Sequence, residues 1–138
     1  MYLISQNKNI IFKIKNMNEL QQKQLDFLED TVKYYSEDIS RRAVNNYSCR
    51  YRTNDGRKCA IGRFIPDDLY NEKIEEHSIG EIFKYEFIPD ELKELGVNFL
   101  YDIQHLHDND SNWERRGLSS EGEEWVYFIK NEIIKEYY

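Results

Sequence analysis

Leu25, Leu28, Val32, Tyr35 and Ile39 recur at steps of three and four residues. That spacing stacks side chains on one face of an α-helix. Gln24, Glu29 and Lys33 fall on the opposite face, and Asn18 with Gln21 three residues on has the spacing of a capping box. The pattern predicts a long amphipathic helix starting just after Asn18. Such a helix is stable only when its apolar face is covered, because short helices are marginal alone in water. The rest of the chain must therefore supply a core. It has the material: 138 residues, 40% of them hydrophobic, with 11 Tyr, 7 Phe and 2 Trp. This composition excludes a disordered chain and suits one domain.

The period shortens between Ser48 and Gly62. Cys49-Arg50-Tyr51-Arg52-Thr53, then Asn54-Asp55-Gly56, then Arg57-Lys58-Cys59-Ala60-Ile61 reads as a β-hairpin. Asn and Asp suit the centre of a type I turn, and Gly56 suits the left-handed bulge position after it. In that register Thr53 opposes Arg57, Tyr51 opposes Cys59 and Cys49 opposes Ile61. Cys49, Tyr51, Cys59 and Ile61 are then expected to face inward, with Arg50, Arg52, Lys58 and Ala60 outward. A two-residue Asp55-Gly56 loop would instead separate the cysteines onto opposite faces. The first register is preferred because it segregates apolar from basic side chains.

Elsewhere the pattern is mainly helical. Asn9–Lys15 alternates as a short strand would. Phe64-Ile65-Pro66-Asp67-Asp68-Leu69 and Phe87-Ile88-Pro89-Asp90-Glu91-Leu92 are near-copies, each reading as a Pro-initiated helix start with acids at its N-terminus. Ser78 with Glu81 forms another capping-box pattern, ahead of Ile79, Ile82 and Phe83. Gly96 closes the second Pro-initiated helix, and Phe99, Leu100, Ile103, Leu106 and His107 mark a further helical face. Asp108–Asn112 reads as a loop. Ser120 and Glu123 then cap a last helix with Trp125, Phe128, Ile129, Ile133 and Tyr137 on its core stripe. The expectation is α+β: one mainly helical domain over 1–138 with a small antiparallel sheet. Its parts are a strand and long helix over 1–44, a centre over 45–115 and a C-terminal helix over 116–138.

Charge is uneven. Residues 41–63 hold seven basic side chains (Arg41, Arg42, Arg50, Arg52, Arg57, Lys58 and Arg63) against Asp55, a local net of +6. The chain as a whole carries −7, so the remainder carries −13. The overall sign argues against generic nucleic-acid coating, and no apolar run reaches the ~20 residues of a membrane span. Met1–Asn7 has no leader pattern, so a cytoplasmic protein is expected. The basic stretch either binds a defined anion or pairs with the chain's own acids.

Other chemistry is thin. A disulfide between Cys49 and Cys59 is disfavoured by their diagonal separation, about 7–8 Å in this register. Zinc would need both cysteines and two of His77, His105 and His107, whose spacing matches no common structural site, so no metal or cofactor is expected. Two enzyme readings stand as alternatives: a metal-dependent hydrolase using His107 and Asp108, and a Cys59–His107 nucleophile–base pair. Neither supplies a defined catalytic residue set.

The segments Cys49-Arg50-Tyr51-Arg52, Asp55-Gly56-Arg57-Lys58-Cys59-Ala60-Ile61-Gly62 and Ile65-Pro66-Asp67 are similar to a small family encoded mainly by tailed bacteriophages and prophages. That family shares a C-x-Y-R…D-G-x-K-C-A-I-G-x-x-I-P-D stretch and a downstream Q-x-x-H-D, matched here by Gln104-His105-Leu106-His107-Asp108, with Trp113 near a frequent aromatic. The resemblance spans about 45–115 and carries no assigned activity. It implies a phage accessory protein in the bacterial cytoplasm, of a kind that binds a host or antiviral-defence component without catalysis. The ligand would be an anionic, nucleotide-like molecule or a protein surface. The expected binding residues are Arg50, Tyr51, Arg52, Lys58, Arg63, His107, Asp108 and Trp113, with arginines on phosphate and Tyr51 or Trp113 stacking on a base. A structural or assembly role and a homo-oligomeric state are left open.

Overall fold

The computed structural model describes residues 8, 11, 17–45, 48–84 and 88–138. Helix α1 runs Glu19–Glu37 behind the expected capping box: the Asn18 side chain accepts from the Gln21 N–H, and the Gln21 side chain accepts from the Asn18 N–H, both at 2.8 Å. Leu25, Leu28 and Tyr35 of the predicted stripe are buried, while Val32 is only partly so. Ile39 belongs to a separate 3-10 turn, Ile39–Arg41.

Two glutamines break the expected polar face. Gln21 and Gln24 are buried, and their amides donate to the carbonyls of Ile133 (2.7 Å) and Leu95 (2.9 Å). Both bonds are tertiary contacts, and the Ile133 carbonyl, in the last turn of its helix, accepts the Glu136 N–H (3.1 Å) as well.

Short elements follow. Strand β1 (Val44–Asn45) pairs antiparallel with β2 (Ser48–Cys49). Helices α2 (Ile79–Ile82), α3 (Asp90–Lys93) and α4 (Val97–Asp108) lead to the antiparallel pair β3 (Trp113–Glu114) and β4 (Gly117–Leu118), and α5 (Ser120–Ile134) ends the order. The architecture is α+β and mainly helical. Leu28 and Tyr35 of α1, Phe99, Leu100, Ile103 and Leu106 of α4, and Ile129 and Ile133 of α5 meet in one buried core. Among the described residues no helix is long and apolar enough to cross a membrane.

Several expectations change. The strand over 9–15 lies outside the described residues apart from Ile11, which is helical. Pro66 starts a single turn, with Leu69 and Tyr70 N–H groups both on its carbonyl, whereas the Pro89 copy continues into α3. The last helix is capped by Ser119 rather than Ser120, its side chain accepting from the Gly122 N–H (3.1 Å). Phe128 and Tyr137 are exposed and lie off the buried Ile129–Ile133 stripe.

The hairpin keeps its predicted register over its tip. Arg52 pairs with Lys58, the Thr53 N–H donates to Arg57 O (2.8 Å), and the Cys59 N–H donates to Tyr51 O (3.1 Å). Gly56 has φ +90°, the left-handed conformation that the bulge requires. Pairing stops there. After Cys59 the chain turns into a 3-10 segment, Gly62–Phe64, while Cys49 pairs backward with Val44. Cys49 is consequently exposed and Ala60 buried, the reverse of expectation, whereas Tyr51, Cys59 and Ile61 do face inward.

Candidate functional site

The site is built where three pieces meet: the hairpin, the 72–79 segment and the C-terminal half of α4. The Tyr35 hydroxyl fixes the hairpin to α1 by donating to Lys58 O (2.6 Å). Glu75 fixes it to the next segment, accepting the Tyr51 N–H (2.8 Å) and the Arg52 N–H (3.0 Å) on its two oxygens. The Tyr70 hydroxyl also donates to Glu75 (2.7 Å), and burial together with that carboxylate pushes the phenol up to about 12.

Gln104, His107 and Asp108 form one hydrogen-bonded chain. Asp108 Oδ1 accepts from Gln104 Nε2 and from His107 Nδ1, each at 2.7 Å. His107 Nε2 accepts the Ala43 N–H (3.1 Å), which fixes the proton on Nδ1. Arg42 Nε donates to His107 O (2.8 Å) and pairs with Asp110 (2.9 Å). The Q-x-x-H-D run thus clamps α4 to the backbone entering β1. His107 has no exposed surface, and burial holds its pKa below the ordinary histidine value despite the Asp108 bond. Both ring nitrogens are occupied, so His107 is not free to act as a base toward Cys59.

The thiols are quiet. Cys59 is fully buried, its sulfur accepts the Gly62 N–H (3.2 Å), and burial pushes its pKa up to about 12. Cys49 is exposed as a residue, but its sulfur is partly shielded beside Asp108. Desolvation and that carboxylate push it up to about 11. Among the described residues no three His, Cys, Asp or Glu side chains are grouped to hold a metal.

Six of the seven basic side chains of residues 41–63 have acidic partners. Arg41 pairs with Glu37, Arg42 with Asp110, Arg50 with Glu72, Arg52 with Asp67, Arg57 with Asp55 and Arg63 with Asp30. Only Lys58 has no ion pair among the described residues. Five of the six acids come from outside the basic stretch, two of them from α1, which is why a charge count along the chain cannot register them.

Two hollows flank the hairpin and share Arg50. A shallow one of about 380 Å³ lies over the tip, lined by Arg50, Arg52, Asn54, Lys58, Tyr70 and Glu72 among others. A cleft of about 520 Å³ lies on the other side, where Arg50 and Glu75 face Tyr101, Gln104, Asp108 and Asn109. Of the expected binding residues, Arg50, Arg52 and Lys58 line the first, and Arg50, Tyr51 and Asp108 line the second.

Several of the expected residues are engaged by the fold itself. Tyr51 and Trp113 are both 8% exposed, their polar atoms donating to His77 O (2.9 Å) and Leu106 O (2.8 Å), so neither ring offers a face for stacking. Arg63 lies 3.7 Å over the Tyr34 ring and pairs with Asp30. Arg52 is mostly structural: it donates to Ile65 O (2.6 Å), pairs with Asp67 (2.8 Å) and lies over the Tyr70 ring. Sequence reasoning missed Tyr70, Tyr101, Gln104 and Asn109 as lining residues, and only Gln104 carried a signal, through its place in the Q-x-x-H-D run. No family model, curated protein or solved structure matches this chain.

Proposed function

We propose that this chain is a non-enzymatic binding protein that captures a small anionic, phosphate-bearing ligand in the hollow over its hairpin tip. In keeping with its resemblance to phage accessory proteins, the ligand belongs to a host or antiviral-defence component of a bacterial cytoplasm, which the protein neutralises by sequestration.

The observation that carries this reading is Lys58, a cation without an acidic partner among the described residues, set beside Arg50 in a concave surface. Arg50 is only loosely held. Its Nε donates to Arg52 O (3.0 Å), but its Nη2 lies 3.7 Å from an exposed Glu72 carboxylate. A contact of that length to an exposed acid contributes little and yields to a phosphate that engages the guanidinium bidentately. Tyr70 forms an aromatic wall, braced by Glu75 and stacked by Arg52.

Thermal-shift and calorimetric titrations with inorganic phosphate, pyrophosphate and a nucleotide panel test the reading in wild type and Lys58→Ala. At low salt at least one phosphate compound should bind wild type. Lys58→Ala should weaken it about tenfold, the scale of a lost charge-assisted hydrogen bond. Moderate salt should weaken both complexes. Absence of binding by every phosphate compound, or equal binding by both proteins, overturns the proposal.

A further inference from the structure

The cleft on the other side of Arg50 has a different chemistry from the hairpin hollow. In the hollow, Arg50, Arg52 and Lys58 face Glu72, an excess of positive charge. In the cleft, Arg50 faces the carboxylates of Glu75 and Asp108, so positive charge is not in excess there. A phosphate belongs in the first and not in the second. The cleft instead offers a set of neutral and acceptor groups with spare capacity.

Asp108 uses one oxygen for both Gln104 and His107, and its Oδ2 takes no N–H or O–H from any described residue. The Asn109 side-chain oxygen caps the following 3-10 turn by accepting from the Ser111 N–H (3.2 Å) and hydroxyl (2.9 Å). Its amide nitrogen is left to donate. The Tyr101 hydroxyl accepts the Gly80 N–H (3.1 Å) and keeps its own proton to give. Asp108 and Asn109 both line the cleft, and a carboxylate acceptor with an amide donor is the pair of groups that a heterocycle edge with an amino group beside a ring nitrogen would take.

Resting on the reading above that phosphate occupies the hairpin hollow, we propose that this cleft is the second half of the same site and holds a nucleobase bearing an exocyclic amino group, so that the ligand is a nucleoside phosphate lying across Arg50. Asp108 Oδ2 accepts the amino N–H, and the Asn109 amide donates to the ring nitrogen beside it. Arg50 stands between base and phosphate, with its Nε fixed on Arg52 O and its Nη2 held only at 3.7 Å from the exposed Glu72, a contact that a phosphate can displace. The cleft volume of about 520 Å³ lies in the range of small-ligand sites.

The test is calorimetry with inorganic phosphate and two matched pairs, cytidine against uridine 5′-monophosphate and adenosine against inosine 5′-monophosphate. Within each pair the amino group is exchanged for a carbonyl. Wild type, Lys58→Ala, Asp108→Asn and Asn109→Asp are compared. Wild type should bind the amino member of at least one pair tenfold or more tightly than its carbonyl counterpart, and more tightly than phosphate.

Lys58→Ala should weaken phosphate and both members of the pair by a similar factor and keep their ratio. Asp108→Asn retains a carbonyl for Gln104 and His107 but presents an amide N–H to the cleft, and should abolish or invert the ratio. Asn109→Asp keeps the cap and removes the donor, and should also shrink the ratio. If phosphate binds in a Lys58-dependent way but neither pair shows a preference, the base site is overturned and the anion site stands. If a preference survives both cleft substitutions, the base site is likewise overturned. If neither phosphate nor any nucleotide binds, both proposals fall.

Discussion

Acid should destabilise this protein through His107. Its Nε2 accepts a backbone N–H, so a second ring proton would set donor against donor at Ala43. Burial penalises the imidazolium and, with the nearby Arg42 guanidinium, outweighs the Asp108 carboxylate to hold its pKa below the ordinary value of 6.5. As pH falls through about 6.5 the unfolded chain takes up a proton at this side chain and the folded chain does not. The unfolded state then binds more protons, so stability is fully present above pH 6.5 and falls below it.

With an ordinary unfolded histidine, the loss between pH 7.5 and 5.5 reaches about 1.4 kcal/mol when the folded ring stays neutral throughout. The window lies above the range in which Asp38, Asp55 and Glu81, whose pKa values are lowered by their hydrogen bonds, begin to cost stability. Urea unfolding at both pH values, in wild type and His107→Gln, isolates the term as the difference between the two proteins. Glutamine can still accept from Ala43 but does not titrate. Wild type should lose more than the variant, by up to about 1.4 kcal/mol. Should the variant fail to fold, an NMR titration of the His107 ring in wild type should show its protonation shifted below the ordinary histidine range. Parallel losses in the two proteins, or a ring titrating near 6.5, would refute the argument.

Three further expectations concern the hairpin and its supports. A Cβ on Gly62 would overlap the Tyr51 carbonyl, whereas one on Gly80 would meet only the movable Tyr101 hydroxyl at 2.8 Å. Gly62→Ala should therefore cost at least about 3 kcal/mol and Gly80→Ala less than about 1, measured by chemical denaturation; equal costs would contradict the packing described. Tyr35→Phe should cost about 1–3 kcal/mol by leaving Lys58 O without its buried donor, and a neutral effect would show that this bond does not brace the hairpin. With iodoacetamide at pH 8, Cys49 should react more slowly than a free thiol because its pKa is raised to about 11, and Cys59 only on unfolding. Rapid labelling of either in the native protein, seen by mass spectrometry, would count against the described burial.

Local patterns were the legible part. Two capping boxes, the Leu25–Leu28–Tyr35 part of the α1 stripe, the α4 face and the hairpin tip register appear as expected, because each is set by residues within a few positions of one another. Where expectation failed, a competing contact had decided. Gln24 is polar by type, yet four residues before Leu28 it lies on the buried side, and its amide donates to the Leu95 carbonyl there. Cys49 continues the hairpin by alternation, yet Val44 captures its strand. Phe128 extends the α5 stripe by residue type but is left outside, stacked on Trp125 at 4.9 Å.

Sequence alone determined that the chain is α+β, where its long helix begins, and which turn reverses the hairpin. Those outcomes follow from backbone capping and short-range periodicity, which are local. Only the tertiary structure decided the character of the basic stretch and the place of the site. Arg50, Arg52 and Arg63 find Glu72, Asp67 and Asp30 across 13 or more positions, and an ion pair depends on distance in space, not along the chain. The same packing buried Tyr51, Trp113 and His107 as supports, left Lys58 without an acid among the described residues, and brought Asp108 and Asn109 opposite Arg50 across a cleft.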